Sequence, residues 1–217
     1  FSIVRMANQS RMFLMNVFRR FQIDGDEFAV LSALTLGYTD DLQPEVRAGY
    51  SASGAMHILS VSGMHVGIVY VVIAFLLRFF DKYRRLKILK ALLIVLFLWS
   101  YAFLTGLSAA VIRAALMFSL LAGANCFERK PQVYNTLFAS AFVMLLYNPD
   151  YLFDIGFQLS YAAVLSIVFF QPIINKLYQP YRKVERWIWN LFAVSVAAQI
   201  GTLPFTLYYF QQFPNYF

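Results

Sequence analysis

The sequence predicts an all-α, polytopic membrane protein with about six transmembrane helices, preceded by an amphipathic helix at the membrane interface. Of the 217 residues, 60% are hydrophobic and 13% are charged, whereas soluble domains have about 45–50% apolar and about 25% charged residues. Mean hydropathy is +0.61. Long apolar segments and basic connections that alternate along the chain are the other two observations behind this prediction.

The first segment, residues 1 to about 21, combines apolar residues with four arginines. A helix of this composition tends to lie in the membrane interface rather than to span the bilayer. We expect lipid headgroup contacts, or alternatively DNA contacts, from Arg5, Arg11, Arg19 and Arg20. A second helix is expected at residues 28–36, and Gly37 should end it.

Six apolar segments follow and are the candidate spans. A helix needs about 20 residues to cross a bilayer, with a working range of about 17–25. The fourth segment is shorter than this range, and Pro204 is expected to kink the sixth segment or to end it early. The segments are residues 61–80, 88–104, 107–124, 133–147, 151–174 and 187–210.

The charges of the connections predict the topology. Twelve Lys and Arg residues lie in the connections around 78–90, 126–132 and 175–186, and none lies near 104–107 or 148–150. This alternation is what the positive-inside rule expects of six spans, and it argues that the short fourth segment also crosses. The basic connections are then cytoplasmic.

Residues 1–56 are expected on the extracytoplasmic side, as amphipathic and connecting helices, and residues 57–217 form the transmembrane core. The chain begins at Phe1 and stops at Phe217 without a polar tail. We interpret it as an excised piece of a longer protein. Residues 1–56 carry five arginines, which the positive-inside rule disfavours outside the cytoplasm. A large exported domain upstream would remove this conflict, because long exported regions escape the rule.

Metal and disulfide chemistry are not expected. Cys126 is the single cysteine, so no intrachain disulfide and no cysteine-based metal site can form. The two histidines, His57 and His65, would lie about 12 Å apart along a helix, which is too far to share one metal ion. The net charge of +7 suits cytoplasmic loops of a membrane protein better than it indicates nucleic-acid binding.

Several polar residues fall where hydrocarbon is expected. His57, Ser62 and His65 lie at the mouth of the first span, and Arg113 lies near the middle of the third. A centred arginine costs about 2.5–3.5 kcal/mol on insertion scales. Arg113 should therefore pair with helix-end carbonyls, Asp154 or Gln158, or face a hydrated groove in which it contacts phosphate.

A second polar group lies in the last two spans. Asp154 and Gln158 are four residues apart and share a helical face. Asp154 could cap its helix or pair with an arginine, and interhelical hydrogen bonding is the plainer reading of both. Gln199, Gly201 and Pro204 indicate either a broken helix beside protein or water, or an ordinary proline kink.

Residues 57–67, His-Ile-Leu-Ser-Val-Ser-Gly-Met-His-Val-Gly, resemble the signature of the ComEC-type competence proteins. Four blocks occur in the order of that family over most of the chain. The signature, approached by residues 34–37, Tyr50 and Gly54, is carried by His57, Ser60, Ser62, Gly63, His65 and Val66. The others are carried by Tyr101, Thr105, Gly106, Arg113 and Ala114; by Pro149, Asp154 and residues 156–161; and by Gln199, Thr202 and Pro204.

The resemblance implies a channel for single-stranded DNA in the bacterial cytoplasmic (inner) membrane during natural transformation. It implies an outer DNA receptor and a cytoplasmic helicase-type motor as partners, besides the bilayer. We expect no enzyme activity and no cofactor. The residues expected to line or gate the path are His57, Ser62, His65, Arg113 and Gln158, with Asp154, Gln199 and Pro204 as structural polar groups.

Two other classes stay open. A secondary transporter for a small solute would also suit broken helices and a buried arginine. An intramembrane serine hydrolase is the weaker alternative, suggested by the loose resemblance of residues 51–55 to the serine loop of rhomboid proteases. The histidine of those proteases comes from a later helix, and no histidine follows His65.

Overall fold

A computed structural model describes residues 2–52, 61–126, 132–178 and 180–210. All regular structure in these ranges is helical, which confirms the predicted all-α class. Short 3-10 helices at Arg78–Lys82 and Pro149–Phe153 follow α4 and α7. The α-helices are α1 (Ser2–Arg20), α2 (Gly25–Leu36), α3 (Pro44–Ala52), α4 (Gly63–Leu76), α5 (Arg84–Leu104), α6 (Ala109–Cys126), α7 (Val133–Tyr147), α8 (Ile155–Leu177) and α9 (Lys183–Phe210).

The chain forms two compact units, Phe1–Lys130 and Pro131–Phe217. The boundary falls in the basic connection between α6 and α7, so three of the predicted spans belong to each unit. The predicted division at residues 56 and 57 separates sides of a membrane rather than packed bodies, and it stays a prediction.

In the first unit, α4, α5 and α6 pack against one another. Small and branched side chains at their contacts are fully buried, including Val66, Leu98, Ala102 and Ala115. Alanines at helix contacts let two backbones approach closely, which is how helices associate where no water drives them together. By contrast, many large apolar side chains on the outer faces of these helices are exposed.

The amphipathic segment forms α1 with nearly the predicted bounds. It packs against α2 and α5 and buries Ala7 and Met15, while Phe13 is 65% exposed. The guanidinium of Arg19 lies 4.8 Å from the ring centre of Phe28 and 3.9 Å from a carboxylate oxygen of Asp41. At least one arginine of α1 therefore contacts other residues of the same chain. The location of α1 in the membrane interface stays a prediction.

Helix α2 ends at Gly37, as predicted. Gly37 has a φ of 67°, in the left-handed region that favours glycine. Its N–H donates to the carbonyl of Ala33, and the N–H of Tyr38 donates to the carbonyl of Ser32. These bonds satisfy carbonyl groups that a helix end otherwise leaves free.

Every predicted apolar segment coincides with a helix, but three helices are long and apolar enough to cross a membrane. They comprise Leu86–Leu104, Ile155–Leu177 and Lys183–Tyr209. The other apolar helices have 10–17 residues. The first predicted span, residues 61–80, yields the 14-residue α4 because the chain tightens into the 3-10 helix Arg78–Lys82. At 1.5 Å per residue, α4 is about 21 Å long, against a hydrocarbon core of about 30 Å.

Helix α9 runs through Pro204 to Phe210 without interruption. The expectations that Pro204 ends the helix early, or that residues 199–204 break it, are therefore wrong. Proline removes only one backbone hydrogen bond, here the one to the carbonyl of Ile200, and packing against a neighbouring helix can hold such a helix together. Helix α8 packs along α9, with a close contact at Gly201.

The second unit is built mainly from the hairpin of α8 and α9, with α7 packed on α8. The two long helices approach each other closely at Gly201. A Cβ atom at this position would overlap the side chain of Ser166 and would lie 2.8 Å from the carbonyl oxygen of Ala162. Ser166 is itself buried, so it has little room to move.

We expect Gly201→Ala to lower the free energy of unfolding by about 1–3 kcal/mol, since overfilling a packed contact has that cost. Gly123→Ala is the matched control, because nothing lies within 4 Å of a Cβ at that helical glycine. The control should gain about 1 kcal/mol from helix propensity. Denaturant unfolding in detergent, followed by circular dichroism, measures both; equal stability of the two variants would contradict the close contact.

Candidate functional site

The start of α4 is fixed by a serine and a histidine of the signature. Ser62 has extended backbone angles and precedes the first helical residue, Gly63. The backbone N–H of Ser62 donates to Nδ1 of His65 over 3.2 Å, and the N–H of His65 donates to the carbonyl of Ser62 over 3.1 Å. The His65 ring therefore satisfies a backbone donor that a helix start leaves free.

The same contacts fix the state of the His65 ring. A backbone N–H can only donate, so Nδ1 accepts, and the proton of the neutral ring lies on Nε2. The hydroxyl of Ser62 is also 3.1 Å from Nδ1. Ser62 and His65 are thus within hydrogen-bond distance, but in the geometry of a reciprocal helix cap, in which histidine takes the position usually held by Glu or Gln.

Residues of the first two blocks meet around this cap. A Cβ at Gly63 would lie 3.4 Å from the Cβ of Ala114, so α4 begins in contact with α6. A Cβ at Gly37 would lie 3.3 Å from a methyl group of Val61 and 3.8 Å from the carbonyl oxygen of Thr105. The end of α2, the start of α4, the end of α5 and the middle of α6 therefore converge; we call this convergence the signature node.

Arg113 lies beside the signature node, because its helix touches Gly63 at the next residue, Ala114. It is 7% exposed, while its neighbours Val111 and Ala115 are fully buried. A buried guanidinium keeps its charge, so its surroundings must supply polar partners. The structure thus places Ser62, His65 and Arg113 in one region of the first unit. Their predicted neighbour His57 lies outside the described residues, and the pairing of Arg113 with Asp154 or Gln158 stays a prediction.

The turn after α5 explains the Thr-Gly pair of the second block. Thr105 is 1% exposed, and its hydroxyl donates to the carbonyls of Tyr101 and Ala102 over 3.0 and 3.1 Å. Gly106 has a φ of 77°, and a Cβ there would lie 2.7 Å from Nη1 of Arg11. Sequence reasoning missed that Arg11 docks on this turn; the glycine of the Thr-Gly pair was the available signal.

In the second unit, Asp154 caps α8. Its Oδ1 accepts the N–H of Phe157 over 2.6 Å. Gln158 uses both ends of its amide: Nε2 donates to the carbonyl of Leu152 over 2.8 Å, and Oε1 accepts the hydroxyl of Tyr209 over 2.8 Å. Gln158 therefore ties the start of α8 to the end of α9. Gln199 is half-buried in α9.

A groove of about 700 Å³ opens along α7, α8 and α9 in the second unit. Gln158 lines one part of it, and Gly201 lines another. The hydroxyl of Tyr161, also in its wall, lies 3.0 Å from Oγ of Ser140. Most of the lining is apolar, with an unusual number of aromatic rings: Phe138, Phe157, Tyr161, Phe169, Phe170 and Phe205.

A smaller, charged cavity of about 260 Å³ lies in the first unit. Lys90 and Asp81 form an ion pair of 2.8 Å in its wall, and Lys87 is adjacent. Asn125 donates to the hydroxyl of Tyr70 over 3.4 Å at its other side. No group of three His, Cys, Asp or Glu side chains that could hold a metal ion occurs among the residues described.

We expect His65→Ala to lower the free energy of unfolding by about 0.5–2 kcal/mol, as loss of a helix cap does. His65→Gln should keep most of that stability, because Gln at this position also accepts the N–H of the capping residue. Hydrogen–deuterium exchange of the Ser62 amide measures the cap directly. Met64→Ala, at a neighbouring side chain that is 63% exposed, is the control; equal Ser62 exchange in all three variants would refute the cap.

Comparison with known proteins gives a consistent result. The model of the family described as Competence protein matches residues 34–217. ComE operon protein 3 of Bacillus subtilis (strain 168) is 34% identical over 191 residues, which are 87% of this chain and 23% of that protein. An uncharacterized protein of Aquifex aeolicus (strain VF5) is 32% identical over 160 residues, which are 73% of this chain and 37% of that protein.

No solved structure matches the chain. The chain spans less than two fifths of the length of either curated relative. The family match nevertheless contains every described residue of the signature node and of the α8–α9 contacts, from Gly37 to Tyr209. With its family model matched over most of its length, this chain belongs to the ComEC-type competence protein family.

Proposed function

We propose that this chain forms part of the channel that carries one strand of DNA across the bacterial cytoplasmic membrane during natural transformation. The observation that carries the proposal is the signature node: residues from separate family blocks, distant in sequence, meet at contacts such as Gly63 with Ala114, and the buried Arg113 is the next residue of the same helix. The family match and the relative named ComE operon protein 3 support the biological setting. Four separate chain segments contribute to the signature node. We take this as support for a functional role of the node, beyond the packing of a single helix.

The proposed chemistry is passage rather than catalysis. A path for single-stranded DNA needs positive charge for the phosphates and aromatic faces for the bases. Arg113 supplies a guanidinium that can bind phosphate through two parallel hydrogen bonds. The aromatic groove beside Gln158 supplies ring faces in the second unit. We propose no catalytic residue and no cofactor, and we assign Ser62 and His65 to the shape of the entrance.

The proposed setting is a multi-pass protein of the inner membrane with six spans. Three long apolar helices support this arrangement directly. We propose that the shorter α4, α6 and α7 also cross the membrane. From α4 to α9, connections that contain Lys or Arg alternate with connections that contain neither. The outer DNA receptor would then deliver DNA from the side of residues 1–56, and a cytoplasmic helicase-type motor would act on the side of the basic connections.

We expect Arg113→Ala to lower DNA entry by about 10- to 100-fold, the loss that removal of one charged hydrogen-bonding group produces. Arg113→Lys should be intermediate, since it keeps the charge and loses the paired geometry. Uptake of labelled DNA is measured in cells whose only copy of the protein carries the change. DNA binding at the cell surface and the amount of protein in the membrane should stay normal.

Arg182→Ala is the matched control for this experiment, because that side chain is 85% exposed and remote in sequence from the signature node. Normal DNA entry in the Arg113→Ala variant, at normal protein level, would overturn the assignment of Arg113. A solute transporter would lose its own transport in such a variant while transformation continued. The same assay therefore separates the two functions.

The six-span topology predicts that Lys82 and Asn148 lie on opposite sides of the membrane. Each is replaced by cysteine in a Cys126→Ser background, which has no other cysteine. A membrane-impermeant maleimide should label the Asn148→Cys variant in intact spheroplasts and the Lys82→Cys variant only after lysis. Labelling of both from the same side would contradict the six-span topology. It would show that one or all three of α5, α6 and α7 fail to cross, and α7, with 15 residues, would be examined first.

A further inference from the structure

A third cavity, of about 310 Å³, lies where α8 ends and α9 begins. It belongs entirely to the second unit and shares no residue with the aromatic groove. Its volume is near the lower end of the range for small-molecule sites, about 300–1,000 Å³. The lining residues are Asn175, Tyr178, Pro180, Arg186, Trp189 and Asn190.

Two buried polar atoms in this lining lack a hydrogen-bond partner in the described part of the chain. They are Oδ1 of Asn175, which is an acceptor, and Nε1 of Trp189, which is a donor. Buried polar atoms are nearly always bonded, and a specific exception calls for a ligand, an ion or water. Water, or a ligand that both donates and accepts, would meet these two atoms, and the rest of the lining distinguishes between them.

The remaining lining supplies a cation and aromatic faces. Arg186 makes one long contact, 3.5 Å from Nη2 to the carbonyl of Pro180, which uses one of five guanidinium N–H groups. The rings of Tyr178 and Trp189 meet edge to face with centres 5.2 Å apart. Guanidinium and indole N–H groups both bind phosphate oxygens, whereas aromatic faces attract an ammonium group.

The position of the cavity indicates where such a ligand comes from. It lies in the basic connection 175–186, which the proposed topology places at the cytoplasmic surface of the membrane. Large side chains around it face outward: Tyr181 is 99% exposed and Trp187 is 64% exposed. Trp, Tyr and Arg gather at the level of lipid headgroups in membrane proteins. The inference that follows rests on the membrane placement given under the proposed function.

We propose that this cavity binds the headgroup of phosphatidylethanolamine. The lipid phosphate accepts hydrogen bonds from the Arg186 guanidinium and from the indole N–H of Trp189. The primary ammonium donates to Oδ1 of Asn175 beside the ring of Tyr178. A choline headgroup has no N–H to donate, so it would leave the oxygen of Asn175 unsatisfied. The two orphaned atoms thus predict selectivity between two lipids that differ only in three methyl groups.

The test is lipid binding to the purified chain in detergent, measured by native mass spectrometry with phosphatidylethanolamine, phosphatidylcholine and phosphatidylglycerol of the same acyl chains. The unchanged chain should bind the ethanolamine lipid about tenfold more tightly than the choline lipid, the effect of one charged hydrogen bond. Equal affinity for these two lipids, or tighter binding of the glycerol lipid, would overturn the assignment of the ammonium.

Variants separate the two halves of the headgroup. Trp189→Phe and Arg186→Gln should each weaken both the ethanolamine and the choline lipid by about tenfold, because they act on the shared phosphate. Asn175→Ala should remove the preference for ethanolamine and leave choline binding unchanged, and Asn175→Asp should restore the preference. Helix content and elution volume are checked for each variant, so that a misfolded chain is not scored.

Matched controls lie on the same helix and connection. Trp187→Phe and Arg182→Gln change the same residue types at exposed side chains, and neither should alter lipid binding. If they weaken it as much as the cavity variants do, the binding is general interfacial attraction and the proposal fails. Displacement of bound lipid by inorganic phosphate or by a thymidine oligonucleotide would identify a phosphate or DNA site instead, and would also overturn it.

The lipid assay and the DNA assays fail independently. Lipid binding to purified chain involves no transport, so its failure leaves the channel proposal intact. Normal transformation in the Arg113→Ala variant, which would overturn the assignment of Arg113, leaves the lipid result untouched. Only the maleimide labelling is shared, because it tests the alternation of sides on which the placement of the connection 175–186 and the six-span channel both depend.

Discussion

The distance between helices, set by small residues at their crossing points, is the constraint on which the rest of this structure depends. Where helices are surrounded by hydrocarbon, apolar burial gives them little reason to associate, and close backbone approach supplies the attraction instead. Gly63 against Ala114 sets the contact of α4 with α6, and Gly201 against Ser166 sets the contact of α8 with α9. The first contact is part of the signature node, and Gly201 and Ser166 both line the aromatic groove.

Within that frame, polar residues are satisfied locally. His65 bonds the backbone that begins its own helix, Thr105 bonds the carbonyls of the preceding turn, and Asp154 caps α8. Gln158 reaches further, to Tyr209 at the far end of the hairpin. This pattern is expected where water is scarce, since an unmet polar group costs more there than in solution. It also leaves Arg113 as the charged residue beside the signature node, which is why the functional proposal depends on it.

The sequence was sufficient for the helices and insufficient for several of their details. Long apolar segments and basic connections identified the six apolar helices, and the usual place of glycine after a helix identified Gly37 as one helix end. The prediction from Pro204 was wrong, because the loss of one backbone hydrogen bond does not by itself end a long helix that packs along a neighbour. The capping role of His65 was also hidden, since histidine is not the residue type that usually closes a capping box. Docking of Arg11 on Gly106 is a tertiary contact, and the glycine of the Thr-Gly pair was the available signal for it.

The close contact at Gly201 has a mechanical consequence. Two helices that touch through a glycine and a buried serine cannot slide past each other by a fraction of a turn, because any shift drives a larger side chain into the same space. The hydrogen bond from Tyr209 to Gln158 links the same two helices where α8 begins and α9 ends. Between these two contacts, α8 and α9 are therefore held in one register. A movement of this hairpin would carry both helices together, and sliding of one helix along the other is the motion that the contacts oppose.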